Sequence, residues 1–315
     1  MSRSSERRWR PDGWDARFRV GVVVPHADVG PEAEMQVMLP PGVTLHATRL
    51  HFAAMRPGGE MDPKIPHTPV RSFVEPPHVD DAVELLAASP LDVIATGFTS
   101  SAYKHGPEGE HALLERLAKR SRGIPLVSTC LAATRGLRAL GVNRLALVNP
   151  PWFDDKLDAQ GAEFFTAQGF EVVHHSPCGL PSSQTAITPE GLYDWVRSVA
   201  GDAEGVFIGG NGLRAVGVIE VLEEDLGIPV LTANQVLVWE SLWLAGCDAP
   251  VTGYGKLFQV TPAVEVSCSV DGCSIGRSFW SKGASARRRS PLAHPGGPAM
   301  VEALPNVWTF RVTSN

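Results

Sequence analysis

No apolar run in this chain approaches the roughly 18 residues that a membrane-spanning helix needs. The N-terminal stretch "MSRSSERRWRPDGWDARF" is basic but lacks the apolar core of a signal peptide. A basic stripe is also missing: the net charge is −6, so neither a nucleic acid nor a membrane is an expected partner. Cysteine is scarce and odd in number, five in all (Cys130, Cys178, Cys247, Cys268 and Cys273), without the spacing of a disulfide framework. That usage suits a reducing compartment and predicts a cytoplasmic location. Cys268 and Cys273 have no histidines beside them, and no metal site is expected. The chain contains no P-loop, no G-x-S-x-G elbow, no H-E-x-x-H helix and no dinucleotide fingerprint. Nucleotide-dependent, serine-hydrolase and zinc-peptidase chemistry therefore have no anchor here.

What is present is alternation. From residue 18 to about 258, short apolar runs alternate with amphipathic stretches. Strands are predicted at 19–24, 44–49, 92–96, 125–128, 145–149, 171–175, 205–208 and 229–232, with helical patterns such as "HVDDAVELLAAS", "GEHALLERLAKRS" and "AATRGLRALG" between them. The near-continuous valines of "RVGVVV" suit a strand buried on both faces. This pattern predicts an α/β chain with parallel sheets covered by helices. A weak repeat divides it. "FRVGVVVPHADVGPEAEM" and "NRLALVNPPWFDDKLDAQ" are each a strand, a proline-bearing loop and an acidic helix start. "LDVIATGFTSSAY" and "EGVFIGGNGLRAV" are each a strand and a glycine-containing loop, at a similar interval. Two pseudo-symmetric, Rossmann-like or flavodoxin-like halves would gather these four loops around one central cleft, beyond the carboxyl ends of the strands. The expected boundaries are 18–128 plus 233–258 for the first half and 129–232 for the second. Residues 1–17 and 259–315, charged or rich in Arg, Ser, Gly and Pro, are expected to be poorly ordered.

The loops carry the candidate chemistry. Thr99 and Ser100 follow a buried strand, where hydroxyls and free helix N–H groups can hold a carboxylate or phosphate, or simply cap a helix. Gly210 and Gly212 flank Asn211 in a second N–H-rich turn, which is read as leading straight into a helix. His26 and Asp28 sit in the first loop; each is either a general base or an ordinary loop residue. Trp152 projects from the matching loop of the second half, as core or as an apolar wall. Asn211 poses a question. A position built to present one side chain carries an amide, which neither attacks carbon nor takes a proton at neutral pH.

In their order and spacing, "VGVVVP", "ATGFTSSAY", "LRALGVNRLALVNPPWFDD", "GVFIGGNGL", "GIPVLTANQVLVWESL" and "GYGKLF" resemble the maleate cis–trans isomerase and arylmalonate decarboxylase branch of the aspartate/glutamate racemase superfamily. The resemblance implies two pseudo-symmetric halves, a cleft between them, no metal and no organic cofactor, and a small carboxylic or dicarboxylic acid as substrate. It implies chemistry through an enolate, or through a thiolate added to a double bond. Thr99 and Ser100 match the carboxylate grip, and Asn234 begins the closing helix. The usual thiol positions hold Phe98 and Asn211, the usual tyrosine is Trp152, and a usual asparagine is Asp28. The expected site thus has Thr99, Ser100 and the 210–212 turn on the carboxylate, Phe98 and Trp152 as an apolar wall, and Asp28 or His26 moving the proton. Asn211 would orient the carboxylate or stabilise the enolate. Isomerisation is the family default; decarboxylation needs less proton machinery. The alternative is a catalytically silent protein that binds a small acid. A second copy of the chain is left open as a partner.

Overall fold

The computed structural model describes residues 12–262, and the predicted irregular segments at 1–11 and 263–315 lie outside the described residues. Two parallel sheets of four strands form the frame. The first half runs β1 (Phe18–Pro25), α1 (Gly30–Met38), β2 (Val43–Leu50), α2 (His67–Ser72), α3 (His78–Ala87), β3 (Val93–Thr96), α4 (Ser100–Ala118) and β4 (Leu126–Ser128). The second half runs α5 (Thr129–Ala139), β5 (Arg144–Asn149), α6 (Asp155–Ala167), β6 (Glu171–Pro177), α7 (Pro189–Val199), β7 (Gly205–Ile208), α8 (Ile219–Leu226) and β8 (Val230–Thr232). α9 (Ala233–Leu244) closes the fold.

The sheets have the same order, β2-β1-β3-β4 and β6-β5-β7-β8, with every pair parallel. Each strand of the first half thus has a counterpart in the second, as the sequence repeat predicts. Val20, Val22, Val23 and Val24 of β1 are buried, because helices cover both faces of the sheet. α4 starts earlier than its amphipathic pattern suggests and is interrupted at Gly106, ahead of Pro107.

α9 lies at the centre. It is apolar nearly all round, its first ten residues are buried, and it packs on α1, α5, β3, β4 and β8. A capping box starts it: the Thr232 hydroxyl accepts from Gln235 N, and the Gln235 side chain accepts from Thr232 N at 3.1 Å. The fold continues past 258. Lys256–Gln259 is a short 3-10 turn, and the Val260 carbonyl accepts from the Trp239 indole at 2.8 Å. At the other end, Asp12–Arg17 forms no helix or strand.

Candidate functional site

The loops after β1, β3, β5 and β7 meet at the carboxyl ends of the two sheets, around a cleft enclosing about 50 Å³. The loop after β2 crosses the seam and adds Phe52, Met55, Met61 and Ile65 to the lining. It is tied to the second half by backbone polar groups. Ile65 N donates to Trp152 O at 2.9 Å, and the Lys64 ammonium donates to Pro151 O (2.9 Å) and Phe153 O (2.6 Å). Asp154 caps α6 through Leu157 N and pairs with His67 at 2.8 Å, so the loop carrying Trp152 is held at both ends.

The cleft has an apolar wall and a polar end. Trp152 and Phe153 come from the second half, and Phe52, Phe73 and Phe98 from the first. Phe73 packs edge-on against both Phe52 and Phe98, with centroids 5.0 and 4.7 Å apart. Thr99, Ser100, Gly210, Asn211 and Gly212 line the polar end, with Asp28 and Gln184 beside them. Ser100 opens α4, whose first-turn N–H groups lack helical partners. Gly210 is required by its φ of +84° and because a Cβ there would stand 2.1 Å from Pro150. At Gly212 a Cβ would strike Gln184 and, at 2.7 Å, the Asp28 carboxyl. The helix expected directly after this turn is not there. Residues 209–215 are irregular, a 3-10 turn covers Val216–Val218, and α8 begins at Ile219. Glu34 holds the N–H groups of Ala215 and Val216 in that irregular path, at 2.6 and 3.0 Å.

Asn211, 4% exposed, answers the question its amide raised. Its Oδ1 accepts from the Thr99 hydroxyl at 2.9 Å, and its Nδ2 donates to Thr129 Oγ1 (3.1 Å) and Asn234 Oδ1 (3.0 Å). An amide can receive from one neighbour and give to two others at once, and here it joins β3–α4, α5 and α9. Asn234 therefore lies behind the turn and does not line the cleft. Thr99 does line it, but its hydroxyl proton faces Asn211 while its oxygen accepts from Gly210 N at 3.0 Å.

The two candidate proton carriers part company. Asp28, 4% exposed, lines the cleft next to Gly212. Burial raises its carboxyl above the ordinary aspartate range, while the Gly30 N–H at 2.9 Å and the Gln184 amide pull it back. The Arg49 guanidinium reaches the Asp28 backbone carbonyl and Glu32. His26 points elsewhere: its Nδ1 accepts from Phe52 N at 3.1 Å and its ring stacks on His51. Burial, His51 and Arg49 all push the imidazole down.

Among the described residues no thiol lines the cleft. Cys130 is buried at the start of α5, 3.8 Å from the Thr99 carbonyl, and burial pushes its thiol well up. Beside it, burial raises Glu110 of α4 to about 7. Cys178 and Cys247 lie away from the cleft, and Cys268 and Cys273 fall outside the described residues.

Gln184, Glu34, Thr129, Phe73, Phe153 and the residues of the loop after β2 are the participants that reading the sequence missed. "PSSQTA" and "FAAMRPGGEM" have no period and no motif, so only folding brings them to the cleft. Glu34 reads as one acid of an amphipathic helix, and Thr129 as a helix start.

The chain and its fold have counterparts among known proteins. The family model described as arylmalonate decarboxylase matches residues 20–258. The arylmalonate decarboxylase of Bordetella bronchiseptica is 28% identical over 173 residues, 53% of this chain and 71% of that protein. The maleate isomerase of Nocardia farcinica is 27% identical over 266 residues, 79% of this chain and 98% of that one. A maleate isomerase from Pseudomonas putida S16, solved with maleate, shares the fold at a TM-score of 0.68 and 20% identity, covering 76% of this chain and 97% of its own. With two parallel sheets of one topology, a seam cleft of the same four loops and a family match spanning nearly all of both halves, the chain belongs to the arylmalonate decarboxylase family.

Proposed function

We propose that this chain is a cofactor-free enzyme acting on a small carboxylic acid through an enolate-type intermediate, with Asp28 in the role that thiols would fill. The observation carrying this reading is the buried Asp28 carboxyl, which lines an otherwise largely apolar cleft beside the 210–212 turn. Family membership supports the isomerase or decarboxylase type. The absence of a lining thiol among the described residues favours decarboxylation over thiolate addition.

In this reading one carboxylate of a malonic-type acid rests on the Ser100 hydroxyl, the start of α4 and the N–H groups of the turn. A second carboxylate faces the aromatic wall, where charge is poorly solvated and loss of CO₂ relieves the cost. The electrons of the broken C–C bond enter an enediolate held by the same donors. The Asp28 O–H then protonates the α-carbon, and solvent returns a proton to Asp28. A carboxyl raised by burial is suited to this donation, since it keeps its proton to a higher pH than an exposed aspartate.

A second reading, a binding protein without turnover, draws support from one feature: the Asn211 amide is fully engaged with the fold. Release of CO₂ from phenylmalonate, alongside NMR of maleate and fumarate, separates the readings. Decarboxylation of phenylmalonate supports the proposal, and conversion of maleate to fumarate favours the isomerase instead. A thermal shift with either acid and no turnover favours the binding protein.

A further inference from the structure

Behind the cleft runs a chain of buried hydrogen bonds whose direction is set at one end. Glu34 begins it. Its Oε1 accepts from Ala215 N and Val216 N at 2.6 and 3.0 Å, and its Oε2 accepts from Asn234 Nδ2 at 2.7 Å. Burial raises the Glu34 carboxyl while these three N–H donors pull it back, and the Asn211 backbone carbonyl on the same side can only accept, so Asn234 must turn its NH₂ toward the pair. The second Asn234 proton goes to the Asn211 carbonyl at 2.8 Å. Asn234 Oδ1 is thereby left facing Asn211, which must present its own NH₂ there. The other Asn211 proton goes to Thr129 Oγ1, and the Thr129 hydroxyl can pass its proton to Thr96 O at 3.1 Å. Only Asn211 Oδ1 remains for Thr99, whose hydroxyl already accepts from Gly210 N and has a single proton to give. The Thr129 hydroxyl also lies 3.3 Å from Asn211 Oδ1, but its one proton has the shorter path to Thr96 O, and all five side chains are buried.

We infer that Glu34 is a positioning residue: by fixing which end of Asn234 and of Asn211 points which way, it commits the Thr99 hydroxyl proton to Asn211. The ligand carboxylate is left to Ser100 and the free N–H groups of the turn and of α4. The same carboxylate ties down Ala215 and Val216, and with them the far end of the 210–216 loop. This inference rests on the proposed reading only in assigning a carboxylate to the cleft; the hydrogen-bond order stands without it.

Two experiments on the full chain test it. Glu34→Gln keeps one oxygen for the two backbone N–H groups but sets an NH₂ against that of Asn234. It should raise KM for phenylmalonate about tenfold, with kcat changed less than about threefold. Asn234→Asp sets two carboxylates face to face and should do worse. The double variant restores one donor facing one acceptor at Glu34 and still offers Asn211 an acceptor oxygen from position 234, but leaves the Asn211 carbonyl without its donor, so it should recover only part of the loss, with KM below that of Asn234→Asp. An unchanged KM in Glu34→Gln, or a double variant no better than the worse single one, overturns the inference. Neutron diffraction of the deuterium-exchanged parent decides the same point without variants or turnover. A Thr99 deuteron directed at Asn211 Oδ1 supports the inference, and one directed into the cleft overturns it. If phenylmalonate is not turned over at all, the proposed function fails while the neutron map still judges the relay.

Discussion

The two halves share one strand order, yet their matching loops differ in kind. The loop after β1 brings an acid, Asp28, and the loop after β5 brings Trp152 and Phe153. After β3, α4 starts at once at Ser100, which lines the cleft. After β7 the chain stays irregular for seven residues, from Gly209 to Ala215, and its helix begins too late to do the same. The thiol positions implied by the family resemblance are likewise mismatched, with Phe98 in one half and Asn211 in the other. A duplicated frame therefore carries unequal linings: the acid Asp28 and the helix start at Ser100 come from the first half alone, while both halves contribute to the apolar wall and to the polar end. Backbone symmetry constrains where loops arrive, not which side chains they carry.

Removing the acid should break this comparison most strongly. Asp28→Asn keeps the size and the Gly30 contact but has no proton to deliver, so kcat for phenylmalonate should fall about a thousandfold in a folded protein. In the parent, turnover should decline as pH rises through the raised Asp28 pKa, because the protonated form is the donor. A variant that retains full activity assigns the proton elsewhere.

Next comes the amide that joins the halves. Asn211→Ala leaves the Thr99 hydroxyl, Thr129 and Asn234 without a shared partner, and should lose about 3 kcal/mol in urea unfolding. Asn211→Cys should recover little of that loss, because a thiol cannot replace two N–H donors and a carbonyl. A stable, fully active Asn211→Cys would mean that the amide is not the joint described here.

A similar magnitude, but pH-dependent, is expected at Glu110. Its carboxyl is raised in the folded chain from an ordinary 4.5 to about 7, so ionisation opposes folding. Its stabilising effect is complete below pH 4.5 and is lost as pH rises from there to about 7, a change of about 3 kcal/mol. Unfolding free energies at pH 4 and 8 should show this loss in the parent and not in Glu110→Gln. Equal slopes would place the titration on another group.

Smaller still is Ser100→Ala, which should weaken phenylmalonate binding about tenfold in calorimetry by removing one hydrogen bond to a charged group. The smallest expected effect is none. Alkylation with iodoacetamide under native conditions should leave turnover intact, since Cys130 and Cys178 are buried and no described thiol lines the cleft. Substrate-protected inactivation would assign a thiol to the reaction after all.

The frame was legible in the sequence because its signal is local. Continuous Val/Ile/Leu runs between amphipathic stretches specify buried parallel strands, and all eight predicted strands are present, with ends shifted by at most two residues. The repeat made the paired halves and the four-loop cleft legible too, with Asp28, Ser100, Trp152, Gly210 and Gly212 as candidates in those loops; Phe98 came from the family resemblance, and all six line the cleft. The choice between His26 and Asp28 was not legible. Two residues apart in one loop, they differ only in which way the folded chain turns them, one onto Phe52 N and His51 and the other beside Gly212. Composition and periodicity determined the elements, their order and the position of the cleft, because burial of apolar faces acts residue by residue along the chain. Tertiary structure alone decided that Glu34, Asn234, Asn211 and Thr99 form one directed relay. Hydrogen-bond direction depends on which donors and acceptors meet, and Glu34 meets Asn234 across 200 residues of chain.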